Sequence, residues 1–321
     1  MHHTLTLTGP PSLSPLLARG ALLSPCKSLR LPRAAARYDT GTTTGPAHST
    51  RFARLVLPGV RIDLARLAAY ERVCGFPTGE DAVPLTYPHV LGFPLTMRIM
   101  SGRDFPLPLL GLVHTSIEIT RRRRLPATGE YEITVYVDEL APHRRGTEAT
   151  VVTEVRDGDG GDRGVAWESR STYLARHRRS EDARTGGSGR PRDEREPLPA
   201  VAEWRLAGDV GRRYGAVSGD RNPIHLHPLG ARLFGFPRAI AHGMWTVARC
   251  LAEHGTPPAT LVRAEFRAPV PLPSTVTYAA DGQAWGGFEL RSGGLRGSAD
   301  DAPAPAGERL HVRGHVYPLV A

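Results

Sequence analysis

The chain has 321 residues, of which 40% are hydrophobic and 23% charged, a composition typical of a globular protein with about two domains. It lacks any apolar run of about 18 residues, so no membrane span is expected, and its three widely spaced cysteines fit a reducing cytoplasm rather than a disulfide framework or a cysteine-based metal site. The net charge of +9 comes from arginines spread along the chain with few aromatic residues between them, which argues against nucleic-acid binding and favours attraction of an anionic ligand.

Residues 1–50 are interpreted as an N-terminal extension, in which basic residues outnumber acidic ones. Prolines interrupt any amphipathic helix, so no transit peptide is predicted, and no secretory signal is predicted because no positively charged start leads into a continuous apolar core. We expect disorder over 1–13, docking of 14–37 onto the first domain and a loop over 39–50. The extension as a whole is therefore predicted to be partly disordered.

Residues 51–177 predict a first domain. Helical periodicity over 64–74 ends at Gly75, and the apolar segment 87–101 predicts a buried helix. Alternation of apolar and polar residues, together with many β-branched residues, predicts strands over 111–120, 131–138, 148–156 and 165–174.

A charged stretch rich in Gly and Arg, 178–197, predicts a linker, and residues 198–321 predict a second domain. Its helices are expected over 209–217 and over 241–254, where Gly255 ends the second one. Strands are expected over 261–268, 274–280, 288–291 and 309–318.

The segment from Tyr214 to Thr246 concentrates groups that can do acid–base chemistry. Asp220, Asn222 and His225 lie in one short turn, and Gly243 follows at the predicted start of a helix. A carboxylate beside an imidazole can hold and activate a water. A free N–H at a helix start can polarise a carbonyl. The pattern therefore favours adding water to, or removing it from, an activated carbonyl compound.

The two domains share one order of elements and align with each other, which predicts a domain duplication. Tyr70 and Gly75 align with Tyr214 and Gly219, and the segment 88–90 aligns with 241–243.

The first domain lacks the acid of the second, because Phe76 stands where the second domain has Asp220. Val90 similarly replaces Gly243. Phe76 and Val90 suit either the lining of an apolar cavity or ordinary core packing, and the sequence leaves both readings open.

The segment in the second domain resembles the signature of the MaoC-like dehydratases and R-specific enoyl-CoA hydratases. The matching residues are Tyr214, Ser218-Gly219-Asp220, Asn222-Pro223-Ile224-His225, Gly235-Phe236, Pro237, Ile240 and Ala241-His242-Gly243-Met244. The resemblance covers about residues 50–320 and is specific only in the second half. It implies an α+β fold, the double hotdog, with two curved antiparallel sheets each wrapped around a central helix. One chain would then form a pseudo-dimer with one competent site.

The resemblance also implies an activity: hydration of trans-2-enoyl thioesters, or dehydration of (R)-3-hydroxyacyl thioesters, in fatty-acyl metabolism. The substrate would be carried by CoA or by acyl carrier protein, with no metal and no redox cofactor. Asp220 and His225 would share the acid–base work, and the sequence does not decide which of them moves which proton. Asn222 is expected to fix one of these side chains, and the Gly243 N–H is the implied donor to the thioester oxygen.

Two other functions stay open, a hotdog thioesterase that releases free CoA and a non-catalytic acyl-thioester-binding or partner subunit. Assembly into a homo-oligomer, or with a partner subunit, is compatible with the sequence. His227 is expected to face away from the site, and His242 to cap or orient the helix start rather than contact substrate. A metal site formed by His225, His227 and Asp220 is disfavoured because no further acid lies nearby.

Overall fold

The computed structural model describes residues 3–29, 52–158, 164–177, 196–283, 285–293 and 308–319. The predicted linker over 178–197 lies outside the described residues except for positions 196 and 197, and so does the predicted loop over 39–50. The division of the chain into domains at that linker stays a prediction.

Strands make up most of the fold. They are β1 (Thr4–Thr6), β2 (Arg54–Arg61), β3 (Leu112–Arg121), β4 (Glu130–His143), β5 (Gly146–Asp157), β6 (Trp167–Arg176), β7 (Ala200–Leu206), β8 (Thr260–Phe266), β9 (Ser274–Ala280), β10 (Gly286–Ser292) and β11 (Arg309–Pro318). The helices are α1 (Leu13–Leu29), α2 (Leu64–Cys74), α3 (Tyr87–Met100), α4 (Val210–Ser218), α5 (Pro223–Leu226), α6 (Pro228–Leu233) and α7 (Gly243–His254).

The described strands form one sheet in the order β1-β2-β4-β5-β6-β3-β8-β11-β10-β9-β7. The first half, β2-β4-β5-β6-β3, and the second half, β7-β9-β10-β11-β8, have the same internal order when each is read from its outer edge. The halves join where β3 and β8 pair antiparallel, from Ser116 opposite Glu265 to Arg121 opposite Thr260. The duplication predicted from the sequence is therefore present in the topology.

Each half places one helix against its sheet. Helix α3 contacts β4 and β5, and α7 contacts β10. Both helices bury most of their side chains, which is why their sequences are apolar over several turns. This is the α+β arrangement that the sequence predicted.

The short helices α2 and α4 also correspond between the halves. Each ends at a glycine in the left-handed region, Gly75 with φ 83° and Gly219 with φ 85°, a conformation that costs glycine little. The rings of Tyr70 and Tyr214 lie 6.0 Å apart between the two helices. The residues that align in the sequence therefore occupy equivalent positions in the two halves, and the two tyrosines meet where the halves come together.

The expectation of disorder over 1–13 is wrong for Thr4–Thr6. These residues form β1, which pairs parallel with β2 from Thr4 opposite Arg54 to Thr6 opposite Val56. An edge strand exposes unpaired backbone groups, and β1 satisfies those of β2. Helix α1 then lies across the first half, where Lys27 donates to the carbonyls of Met100 at 3.2 Å and Gly102 at 2.7 Å, at the carboxyl end of α3.

No helix in the described part of the chain combines the length and the hydropathy that a transmembrane span requires.

Candidate active site

Asp220 lies in the turn that follows α4. Gly219 ends that helix, and the N–H of Asp220 donates to Ser218 Oγ at 3.2 Å. The Asp220 carboxylate accepts from the main-chain N–H of Asn222 at 3.2 Å. Its side chain is 30% exposed, so the carboxylate is only partly desolvated. Local hydrogen bonds within the turn thus fix an accessible carboxylate.

His225 lies on α5, a short helix that Asn222 and Pro223 initiate. Asn222 Oδ1 accepts from the N–H of Ile224 at 3.4 Å, and Pro223 supplies the fixed φ suited to a first helical position. The His225 ring places Nδ1 2.8 Å from the main-chain oxygen of Ile240. Since a carbonyl only accepts, Nδ1 carries the proton of the neutral ring, and Nε2 has a free lone pair.

The electrostatic surroundings keep His225 neutral near pH 7. Burial lowers the pKa of His225, and the nearby Asp220 carboxylate offsets part of this effect. A neutral imidazole with its lone pair on Nε2 can accept a proton from water.

His242 stacks on His225 and joins the turn to α7. The ring centroids of the two histidines are 3.7 Å apart. His242 Nε2 lies 2.9 Å from the main-chain oxygen of Asp220, to which it donates. Burial, and then His225, hold the pKa of His242 well below its usual range. The ring also packs on Tyr214 at 4.8 Å, and its side chain makes no cap hydrogen bond to α7. The expectation that His242 orients the helix start rather than contacts substrate stays a prediction.

Gly243 is the first residue of α7, with His242 at the N-cap. The N–H of a first helical residue has no acceptor within the helix. A Cβ at position 243 would lie 2.9 Å from the ring of Phe266. Glycine therefore keeps this N–H approachable beside an aromatic ring.

His227 is directed away from these groups. It caps α6, where its Nδ1 accepts from the N–H of Leu229 at 3.2 Å. Among the described residues, the side chains that could together hold a metal ion are instead Asp220, His225 and His242, whose ligand atoms all lie within 4.8 Å of one another. The absence of a metal cofactor stays a prediction.

The first half contributes three groups that sequence reasoning missed. His89 and Tyr173 are buried and His114 is partly buried, and their rings stack: His114 lies 6.2 Å from His89 and 4.6 Å from Tyr173. Burial lowers the pKa of His89 to about 4, an effect that Asp220 opposes. Burial raises the pKa of Tyr173, with a further contribution from Asp220. The one signal in the sequence was the alignment of His89 with His242.

Phe76 and Val90 both pack against the hydrophobic core, Phe76 only partly buried, which is compatible with either role. Phe76 stacks on Tyr70 with ring centroids 6.4 Å apart, and Val90 is 2% exposed within the hydrophobic core.

Comparison with known proteins identifies the family. Residues 189–284 match the model of the MaoC-like domain. Over 234 residues, 71% of this chain and 80% of the relative, the sequence is 41% identical to 3-hydroxyacyl-thioester dehydratase X of Mycobacterium tuberculosis. It is also 31% identical to 3-hydroxyacyl-thioester dehydratase Y of the same organism, over 42% of this chain and 47% of that relative.

Solved structures agree with the sequence comparison. The crystal structure of HtdX from Mycobacterium tuberculosis has a TM-score of 0.65 and 33% identity, and covers 83% of this chain and 100% of its own. A MaoC-like dehydratase from Phytophthora capsici, 17% identical with a TM-score of 0.58 over 84% of this chain and 96% of its own, shares the fold. The chain belongs to the MaoC-like dehydratase family.

Proposed function

We propose that the protein is a hydro-lyase that interconverts (R)-3-hydroxyacyl thioesters and trans-2-enoyl thioesters. The observation that carries this proposal is the grouping of a partly exposed carboxylate, a neutral imidazole lone pair and a free helix-start N–H, on Asp220, His225 and Gly243. The relative that is 41% identical bears the name of a 3-hydroxyacyl-thioester dehydratase, which supports the same reaction for this chain.

In the hydration direction, the Gly243 N–H donates to the thioester oxygen. Negative charge develops on that oxygen as the enolate forms, and the partial positive charge of the α7 N-terminus stabilises it. The loss of one such donor typically costs about 3 kcal/mol of barrier.

The water lies between Asp220 and His225. His225 Nε2 accepts a proton from the water while the water oxygen bonds to the β carbon, and the resulting imidazolium returns that proton to the α carbon. Asp220 orients the water and stabilises the imidazolium. This agrees with the effect of the Asp220 charge, which raises the pKa of His225. The reverse sequence eliminates water from the 3-hydroxyacyl thioester.

Asn222 positions both groups through the main chain and the helix cap. Its N–H binds the Asp220 carboxylate, and its side chain starts the helix that carries His225. Among the described contacts, Asn222 makes no side-chain hydrogen bond to Asp220 or His225, so it acts through its main chain and its cap.

The substrate is an acyl thioester of CoA or of acyl carrier protein, used in fatty-acyl metabolism. A cytoplasmic location agrees with three free cysteines, Cys26, Cys74 and Cys250.

The experiment is an ultraviolet assay with crotonyl-CoA, in which hydration removes the absorbance of the conjugated enoyl group. Loss of this band with no release of free thiol supports the hydro-lyase. Release of free CoA, detected with a thiol reagent, would instead identify a thioesterase. Binding of crotonyl-CoA without either change would indicate a non-catalytic acyl-binding subunit.

A further inference from the structure

The first half of the chain presents a polar wall beside the candidate active site, made of His89, His114 and Tyr173. His114 on β3 pairs with Tyr173 on β6, and their rings stack at 4.6 Å with an interplanar angle of 20°. His89, in the first turn of α3, stacks on His114 at 6.2 Å and 13°. Two strands and a helix therefore direct three polar rings into one place.

This polar wall adjoins the groups assigned to catalysis. The ring of Phe266 touches His114, with centroids 4.7 Å apart, and the same ring lies 2.9 Å from where a Gly243 Cβ would be. The charge of Asp220 acts on both His89 and Tyr173. One aromatic ring thus separates the wall from the expected position of the thioester.

Helix α3 packs on the sheet beside the wall. A Cβ at Gly92 would lie 2.6 Å from Thr153 Cγ2, so helix and sheet are in direct contact there. Thr153 pairs with Ser169, which lies on the same face of β6 as Tyr173. Tyr173 therefore lies on the face of the sheet that α3 covers.

Two ring nitrogens of the wall have no partner among the described residues: His89 Nδ1 and His114 Nε2 are buried and unbonded. Burial lowers the pKa of these rings to about 4 and about 3, so both are neutral near pH 7. Each neutral ring has one N–H and one lone pair. A buried polar atom without a partner destabilises the protein, and a ligand that supplies the partner removes that cost.

The fold does not require a polar residue on the strand that carries Tyr173. In the second half the strand that corresponds to β6 is β11, and its inward residues are Val312, Gly314 and Val316. The ring of Phe288 fills the space above Gly314. The inward face of β11 is thus apolar where β6 carries Tyr173, whereas the counterpart of His89 in the second half, His242, is itself polar.

We propose that the polar wall is a subsite for acyl chains that carry a hydroxyl group beyond the reacting carbons. A hydroxyl can donate to one ring nitrogen or accept from another, so it suits the wall whichever tautomers the rings adopt. The inference rests on the proposed function for the placement of the thioester, and it identifies hydroxylated acyl thioesters as the preferred substrate class.

Binding of saturated acyl-CoAs tests the subsite without turnover. Isothermal titration of the whole protein would compare 5-hydroxyhexanoyl-CoA with hexanoyl-CoA, and 7-hydroxyoctanoyl-CoA with octanoyl-CoA. We expect at least one hydroxylated ligand to bind about tenfold more tightly than its parent. Equal or weaker binding of both hydroxylated ligands would overturn the subsite, because it would mean that water alone satisfies the wall. Turnover of crotonyl-CoA, measured on the same sample, reports separately on the proposed function.

The variant His114→Phe keeps the ring and removes both nitrogens. It should abolish the preference for the hydroxylated ligand over its unsubstituted parent. His177→Phe is the matched control, since this ring lies just beyond the carboxyl end of β6, where it binds Thr147, and is not part of the wall; it should keep the preference. A preference that survives both His114→Phe and His89→Phe would contradict the proposal.

Discussion

His225 and His242 stack with ring centroids 3.7 Å apart, yet each donates its ring N–H to a different main-chain carbonyl. His225 donates through Nδ1 to Ile240, and His242 donates through Nε2 to Asp220. The neutral His225 ring therefore carries its proton on Nδ1, and the neutral His242 ring carries its proton on Nε2. Only His225 combines a lone pair on Nε2 with a carboxylate that raises its pKa, so the two rings are not interchangeable.

The substitution Gly243→Ala tests the steric role of this glycine separately from its N–H. Alanine keeps the N–H but places a Cβ 2.9 Å from the Phe266 ring. We expect kcat/KM for crotonyl-CoA to fall about tenfold because the ring or the helix start must shift, well short of the 10²–10³-fold typical of losing an oxyanion donor.

The double variant Gly243→Ala/Phe266→Leu is the control for that substitution. A smaller side chain at 266 leaves room for the Cβ and should restore most of the activity. Failure of Phe266→Leu to improve the alanine variant would show that the contact does not limit the rate.

The pH dependence of kcat/KM should report His225. Hydration needs the neutral ring, so activity is full above the pKa of His225 and falls as the pH drops through it. Burial lowers that pKa, so the acid limb is expected below the ordinary value of about 6.5. Because Asp220 raises the pKa, Asp220→Asn should move the acid limb of the residual activity to still lower pH. An acid limb above pH 6.5 would contradict this assignment.

Stability should also fall in mild acid, because of His89 and His114. Their pKa values are about 4 and about 3 in the folded protein, against about 6.5 in the unfolded chain. Between these values the unfolded chain binds protons that the folded protein does not, so the stability present above about pH 6.5 is lost progressively below it.

Thermal unfolding at about pH 7.5 and about pH 5 measures this effect. The drop in melting temperature should be smaller in His114→Phe than in the unsubstituted protein, since one of the two groups is gone. An equal drop in both proteins would assign the acid sensitivity to other residues.

The three candidate ligands, Asp220, His225 and His242, allow a test of the metal-free mechanism. We expect a chelator to leave the rate of crotonyl-CoA hydration unchanged, and added Zn²⁺ to inhibit by occupying the His225 lone pair. Metal analysis of the purified protein completes the test. Loss of activity on chelation, restored by a metal, would refute the proposed proton transfers.

The parts of the site that could be predicted from the sequence are those whose residues lie close together along the chain. Asp220, Asn222 and His225 lie within one turn, so their residue types and spacing alone suggest a site. The polar wall could not be found in this way. His114 and Tyr173 come together only because β3 pairs with β6, and His89 joins them only because α3 packs on that sheet.

The fold was predictable to a similar degree. Eight strands with regular alternation were predicted near their observed positions, whereas β1, β2 and β7 were missed. Strand β2 contains Pro58 and Gly59, and its register with β4 shifts between Leu57 and Val60. Such a bulge interrupts the alternation on which strand prediction depends.

The most direct test of the account compares the protein with Asp220→Asn in the hydration of crotonyl-CoA. Asparagine preserves the size of the side chain but removes the charge that stabilises the His225 imidazolium. We predict that kcat falls by about 10²–10⁴-fold, with thermal stability little changed and (R)-3-hydroxybutyryl-CoA as the product of the unsubstituted protein. Unchanged turnover in Asp220→Asn, or formation of the (S) product, would contradict the proposed mechanism.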